Sequence, residues 1–145
     1  MKNGHDPALG RVALMLHAFI SEDIEHAKEI VKPPMYQYLR SNLALHRELS
    51  KSRSHNIAGE KFGSEDEDVI LQFAFERYFN GSSLFGTVES CTEKITALRG
   101  IGVTEIACLL DFGLDNQTIL QGLPYFEILK NRFQPRRDNA VRTAV

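Results

Sequence analysis

Two side chains near the predicted carboxyl ends of buried strands carry the chemistry that this sequence could perform. His17 lies near the end of the apolar run RVALMLHAFI at residues 11–20, and Asp111 ends the run EIACLLD that starts at residue 105. Ligands of α/β proteins bind at the carboxyl ends of parallel strands. His17 is therefore a candidate for an active site, with a place in a filled core as the alternative. A carboxylate at the end of a buried run must be solvated, paired with a cation or hydrogen-bond donor, or used to bind a ligand. Asp111 is therefore a second candidate.

Two glycine segments could in principle bind an anion. Gly100 and Gly102 begin like a dinucleotide fingerprint, but Glu105 occupies the third glycine position. The segment also follows a helix and precedes a strand, the reverse of what the fingerprint requires. Gly86 and Thr87 instead follow a short strand and precede a helix, so free amides at that helix start could hold a phosphate. The alternative is a plain glycine turn with Thr87 as the N-cap.

Metal binding and nucleophilic catalysis find no support in the sequence. The five histidines form no HExxH motif, and the chain contains no GxSxG, Walker or CxxC motif. Cys91 is predicted on the apolar side of a helix rather than in an electropositive cleft, so it is not a candidate nucleophile. Two cysteines without disulfide-like spacing fit a reducing cytoplasm. We therefore predict no metal site and a cytoplasmic location.

Composition indicates one ordinary globular domain. The 145 residues are 43% apolar and 25% charged, which argues against wholesale disorder. The net charge of −2 is nearly neutral and indicates no nucleic-acid partner, and no segment is apolar enough for a membrane span or signal peptide. Residues 5–133 are predicted to form the domain, and residues 134–145 are predicted to be a flexible basic tail.

Strands and helices alternate along the predicted domain. Strands are expected at residues 11–20, 83–85 and 105–112, the last covered on both faces. Helices are expected at 21–50 with a break, kink or continuation at Pro33 and Pro34, at 64–80, at 87–100 with Gly100 at its end, and from 115 with a kink or division at Pro124. A loop is expected at 51–63.

Apolar spacing also predicts which side chains of two helices face inward. For the helix at 64–80 these are Val69, Ile70, Phe73, the aliphatic stem of Arg77 and Tyr78. For the last helix they are Ile119, Leu123, Phe126, Leu129 and Phe133.

This order of elements predicts an α/β fold with a parallel sheet and right-handed crossovers. Only three strands are predicted, and three parallel strands leave two unpaired edges and cannot close a barrel. The chain is therefore expected to be a portion of a larger unit or a subunit that needs partners.

Three segments together resemble one enzyme family: HDPALGRVALMLHAFI, FERYFNGSSLFGTVESC and GVTEIACLLDFGLD. They are similar to the carboxyl-terminal part of luciferase-like flavin monooxygenases, in particular the subgroup associated with nonribosomal peptide and polyketide assembly lines. The resemblance covers about residues 5–133. It implies that the chain forms the last three or so β/α units of a TIM-type (β/α)8 barrel. It also implies an enzyme that binds reduced FMN and activates O2.

The resemblance further implies which residues form the site and which partners it needs. His17 and Asp111 would be catalytic: His17 would hydrogen-bond flavin or substrate, and Asp111 would anchor a rim loop or a polar group of the ligand. The cofactor-binding residues on the same rim would be Phe19, Gly86, Thr87 and Gly113. The implied partners are an organic substrate that a carrier protein could tether and a flavin reductase that supplies reduced FMN.

A different class of function is the alternative. The chain could be a non-catalytic half-barrel that acts as a structural or interaction subunit. Homo-oligomerisation, or a complementary chain that supplies the first strands, would then cover the open sheet edges.

Overall fold

The computed structural model describes residues 9–53 and 64–134, together with residues 4 and 6. The predicted tail beyond residue 134 and residues 54–63 of the predicted loop lie outside this range. The elements in chain order are β1 (Ala13–Ile20), α1 (Ile24–Arg53), α2 (Ser64–Arg77), a π-helical segment (Tyr78–Ser82), β2 (Leu84–Gly86), α3 (Val88–Gly100), β3 (Glu105–Leu109) and α4 (Asn116–Phe133). The predicted α/β class is confirmed.

The three strands of the described residues form one parallel sheet in the order β2-β1-β3. β1 pairs with β3 from Ala13↔Glu105 to His17↔Leu109, and its last residues pair with β2 up to Ile20↔Gly86. In a (β/α)8 barrel each strand is followed by a helix and then by its neighbour in the barrel, so the second of three consecutive strands lies in the middle. Here the first strand lies in the middle. The chain thus forms an open sheet, and the barrel expected from the resemblance is not confirmed.

Helices cover both faces of this sheet. Successive residues of a strand point to opposite faces, so Phe19 faces one layer while Ala18 and Ile20 face the other. On the Phe19 side, α1 and α2 complete a core of Phe19, Ala27, Val31, Met35, Phe75, Phe79, Phe85 and Phe112. On the other side, α3 and α4 complete a core of Ala18, Ile20, Leu84, Val88, Cys91 and Leu129. The two cores make the fold a three-layer α/β/α arrangement.

Proline does not interrupt the helices as the sequence suggests it could. α1 continues for 30 residues through Pro33 and Pro34, and α4 continues through Pro124. Each proline removes one amide donor from the helix. In α1, however, Val31 and Met35 on either side of the prolines are fully buried. Packing of this face against the sheet therefore holds the helix together where local propensity would end it.

The predicted inward face is wrong for α2 itself, although Tyr78, directly after the helix, packs against the core as predicted. Val69 and Phe73 are 68% and 71% exposed, whereas Leu71 and Phe75 are fully buried and Phe79 follows four residues later at 3%. Because α2 carries apolar residues on two sides, its periodicity fits two stripes equally well. Packing against α1 and the aromatic residues of the sheet selects the stripe that contains Phe75.

The end of α3 agrees with the prediction, whereas the extent of β3 does not. α3 ends at Gly100 as predicted. Gly102 forms the turn after it: this residue has φ +100°, its amide donates to the Arg99 carbonyl, and the Val103 amide donates to the Leu98 carbonyl. This is a Schellman motif, which needs a left-handed residue after the C-cap. β3 ends at Leu109 rather than residue 112, and Ala107 and Cys108 are exposed because β3 is an edge strand.

The predicted inward face of α4 is correct in its second half. Phe126, Leu129 and Phe133 pack in the core on the α3 side. Leu123, by contrast, is 41% exposed, so this part of the prediction is wrong. Gly122 takes its place against the sheet, where a Cβ would lie 3.6 Å from the carbonyl oxygen of Ile20. The helix approaches β1 through its one residue without a side chain in that turn, which leaves Leu123 to point outward.

The two phenylalanines of α2 provide a matched test of this packing. Phe75→Ala should lower the free energy of unfolding by about 3–5 kcal/mol, because it removes a fully buried ring and leaves a cavity. Phe73→Ala should change it by less than about 0.5 kcal/mol, because that ring is mostly exposed. Urea denaturation followed by circular dichroism measures both. Equal losses would contradict the orientation of α2.

Candidate functional site

The carboxyl ends of the three strands bring the six predicted site residues to one edge of the sheet. Ile20 pairs with Gly86, and the Ser21 amide donates to the Gly86 carbonyl at 3.0 Å. His17 pairs with Leu109, the last residue of β3, and the chain continues from there to Asp111 at the same edge. We call this edge the rim. It comprises His17, Phe19, Gly86, Thr87, Asp111 and Gly113.

His17 is the buried polar group of the rim. It is 5% exposed, and its Nδ1 lies 2.5 Å from the hydroxyl oxygen of Tyr78. The rings of Tyr38 and Phe112 meet the imidazole edge to face, with centroids at 4.8 and 5.3 Å. Its Nε2 is buried and has no hydrogen-bond partner among the described residues. Burial lowers the pKa of His17, so the imidazole is held neutral with one nitrogen free for a further hydrogen bond.

A crevice of about 380 Å³ opens beside the rim. It lies between the first turns of α1 and α4, and Phe19, Glu22, His26, Thr118 and Tyr125 are among its lining residues. In an open parallel sheet, ligands bind where neighbouring strands lead to helices on opposite faces. β1 leads to α1 on one face and β3 leads to α4 on the other, so this crevice lies at that point. Phe19 forms part of its wall, whereas His17 is not among the residues that line it.

Thr87 caps α3, as the sequence predicts. The Ser90 amide donates to Thr87 Oγ1 at 3.3 Å, and the Thr87 amide donates to Ser90 Oγ at 3.0 Å. This reciprocal capping box uses amides of the helix start that a phosphate would otherwise bind. The cofactor-binding role of Thr87 stays a prediction, and the simpler role as an N-cap is confirmed.

Backbone geometry explains both rim glycines. Gly86 has φ +134°, and a Cβ at this position would lie 2.5 Å from Ser90 Oγ in the capping box. At Gly113, a Cβ would lie 3.2 Å from Cβ of Pro34, so the loop after β3 packs closely on α1. Glycine is therefore needed at both positions for the fold itself. Their cofactor-binding role stays a prediction.

The rim is acidic. Asp111 is exposed and forms no hydrogen bond or ion pair with the residues that the structure describes, so it is solvated. The segments that follow the strands, residues 21–24, 86–88 and 110–116, contain Glu22, Asp23, Asp111 and Asp115 and no Lys or Arg. Such a surface repels an anion.

FMN fits these residues in part. The free Nε2 of His17 suits a hydrogen-bonding atom of a flavin ring, since a buried polar atom without a partner costs free energy until it is paired. The dianionic phosphate of FMN does not suit an edge that carries four carboxylates and no cation. A phosphate site would have to come from residues outside the rim.

No protein-family model matches this chain, and no curated protein matches it. The resemblance of the three sequence segments therefore remains a hypothesis about family and activity. What the structure adds is the geometry of the rim and of the groups that surround His17.

Tyr78 and Tyr38 are the site residues that the sequence analysis does not predict. Tyr78 is 61 residues from His17 in the chain, and Tyr38 lies on a different helix. No local pattern links either tyrosine to the histidine, because each contact forms only when α1 and the π-helical segment pack over β1.

Other chemistry is absent from the described residues or disfavoured there. Burial is the main cause that raises the pKa of the Cys91 thiol to about 11, so this cysteine is not a thiolate nucleophile near neutral pH. In residues 9–53 and 64–134 no three His, Cys, Asp or Glu side chains group closely enough to hold a metal ion. Across the same ranges no helix has the length and apolar character to span a membrane.

Alanine substitutions at Gly86 and Gly81 test whether the rim backbone requires glycine at Gly86, with Gly81 as the control. Gly86→Ala should lower the free energy of unfolding by about 1–3 kcal/mol, because a side chain is strained at positive φ and would displace Ser90 Oγ. Gly81→Ala has no atom within 4 Å of its new Cβ, so it should be neutral or slightly stabilising. Thermal and urea unfolding measure both, and an equal effect would contradict this account of Gly86.

His17 should make stability depend on pH. Burial lowers its pKa in the folded chain below the ordinary value of 6.5, so between these two values the unfolded chain binds more protons. The free energy of unfolding should therefore fall as the pH decreases from about 6.5 toward the folded pKa, and be unaffected by this group above that window. His17→Gln should remove this slope, whereas His26→Gln on the exposed start of α1 should keep it. Urea denaturation at a series of pH values measures the slope, and an unchanged slope in His17→Gln would contradict the burial of a neutral imidazole.

Proposed function

We propose that the chain is part of a flavin-dependent oxidoreductase, a luciferase-like monooxygenase that uses reduced FMN and O2 on an organic substrate. The resemblance of three ordered segments suggests the cofactor and the reaction. The observation that carries the proposal is the buried His17 at the rim, whose Nε2 has no partner among the described residues. Five further residues that the resemblance assigns to the site lie along the same edge.

The residues of the rim would bind and orient a flavin ring. Phe19 would form an apolar wall of the crevice. Nε2 of His17 is buried and lies outside the crevice, so it would hydrogen-bond a polar atom of the flavin only after the aromatic side chains around it move. The rings of Tyr38, Tyr78 and Phe112 around His17 exclude water, which strengthens a hydrogen bond made there. When bound, the flavin supplies the redox chemistry with O2. Asp111, which is exposed, would anchor a rim loop or a polar group of the ligand.

The barrel is the finer part of the proposal. The outer edge of β3 has no partner strand in the described residues, so further strands would have to continue the sheet. A (β/α)8 barrel would also require β2 to lie between β1 and β3. A carrier-tethered substrate and a flavin reductase belong to the same proposal and rest on the resemblance. The proposed cytoplasmic location rests on the two cysteines without disulfide-like spacing.

A structural or interaction subunit is the second candidate, and one surface favours it. A groove of about 600 Å³ lies between α3, α4 and β3, next to the open edge. Its lining includes Leu98, Ile106, Cys108, Phe126 and Phe133. An apolar groove beside an unpaired strand is the kind of surface that another chain covers.

Flavin titration of the purified chain tests the proposed function. FMN and riboflavin should bind with similar affinity, because the rim offers the phosphate no cation. His17→Ala should weaken binding about tenfold through loss of one hydrogen bond, while Phe73→Ala on the outer side of α2 should have no effect. Quenching of flavin fluorescence measures the affinities. A chain that is folded by circular dichroism and never alters flavin fluorescence would contradict the proposal. A stable oligomer without flavin binding would favour the second candidate.

A further inference from the structure

We infer that Tyr78 is the positioning residue of His17 and holds the imidazole as the neutral tautomer with its proton on Nε2. The contact between the Tyr78 hydroxyl and Nδ1, at 2.5 Å, is the one hydrogen bond of this imidazole in the described part of the chain. A hydrogen bond to one ring nitrogen decides which nitrogen carries the proton. The tautomer of His17 is therefore set by Tyr78.

The direction of this hydrogen bond can be chosen by counting the polar groups that each direction leaves without a partner. If Tyr78 donates, its hydroxyl hydrogen is used, and the Nε2 hydrogen alone lacks a partner. If Nδ1 donates instead, the hydroxyl hydrogen and the Nε2 lone pair both lack a hydrogen-bond partner, since the described residues provide no second hydrogen bond to the hydroxyl. Each buried polar group without a partner is costly. The arrangement with Tyr78 as donor leaves fewer such groups.

The π-helical segment places Tyr78 for this contact. Tyr78 is its first residue, directly after α2. Short π-helical segments occur often at functional sites, where they alter the direction of side chains relative to a continuous α-helix. Phe79, the next residue, is buried in the core while Tyr78 faces His17. The segment thus allows Phe79 to pack in the core while Tyr78, the preceding residue, contacts His17.

Lys94 fixes the far end of this segment. Its ammonium group donates to the carbonyl oxygens of Phe79 at 2.9 Å and of Ser83 and Phe85 at 3.3 Å. These carbonyls belong to the π-helical segment, the turn after it and β2. One cation on α3 therefore joins the segment to the strand that pairs with β1 near His17. Because both sides of the Tyr78–His17 contact are attached to the same sheet, the hydroxyl is held at Nδ1 with little freedom to move.

The consequence for a ligand rests on the proposed function. With the proton on Nε2, His17 is a hydrogen-bond donor toward the bound molecule and not an acceptor. It would then select a ligand atom that accepts, such as a carbonyl oxygen or an unprotonated ring nitrogen of oxidised flavin. The tautomer itself does not depend on what the ligand is.

Nitrogen NMR of the full chain with labelled histidine tests the inference. His17→Gln identifies the His17 signals by their loss. In the wild-type chain, Nε2 should give the signal of a protonated nitrogen and Nδ1 that of a hydrogen-bonded, unprotonated one. Tyr78→Phe should shift both signals toward the average of exchanging tautomers. Tyr38→Phe is the control, because it keeps its ring against the imidazole and no hydrogen bond joins its hydroxyl to His17.

Two results would overturn the inference: a wild-type His17 protonated on Nδ1, or Tyr78→Phe signals identical to those of the wild type. If Tyr78→Phe does not fold, the wild-type spectrum decides alone. Flavin binding separates this inference from the proposed function. Loss of the tautomer preference in Tyr78→Phe supports the positioning role even if no variant binds flavin. In a chain that binds flavin, Tyr78→Phe should weaken binding about fivefold to tenfold, because His17 would no longer be held as a hydrogen-bond donor.

Discussion

The pairing of β1 on both of its edges is the constraint on which the remaining structure depends. Its first five residues pair with β3 and its last three pair with β2. Since β1 is central, its side chains Ala18 and Ile20 join one core while Phe19 joins the other. The position of each helix pair follows from the face that it must cover. Without a central β1, neither core would be closed and the rim residues would not share an edge.

The same constraint places a polar group where the fold would favour an apolar one. His17 is on the face of β1 that α1 and α2 cover, and its neighbours there are aromatic. One of its nitrogens is paired and the other is not. A buried nitrogen without a hydrogen-bond partner lowers the stability of the fold by roughly 1–3 kcal/mol. An apolar residue at the same position would not carry this cost. Departures from consistent packing of this kind are expected at functional sites.

The open side of the sheet limits what this chain contributes by itself. β3 reads as a buried strand, yet Ala107 and Cys108 are exposed and its outer edge has no partner among the described residues. The apolar groove between α3 and α4 lies beside the same edge. In contrast, the rim near β1 is well packed, because Gly113 lies close to Pro34 of α1 and a capping box orders the chain at Thr87. Both proposed functions therefore assign the open edge to further strands or to another chain.

The sequence by itself determined the features that depend on neighbouring residues. The alternation of strands and helices, the N-cap at Thr87 and the convergence of the rim residues on one edge follow from local patterns and from the parallel direction of the strands. The tertiary structure alone decided the strand order, the face of α2 that is buried and the contact of Tyr78 with His17. Two stripes of α2 satisfy the same helical period, and several strand orders satisfy the same alternation. Only contacts between residues distant in the chain distinguish them, because burial is decided by what packs against a surface and not by the surface alone.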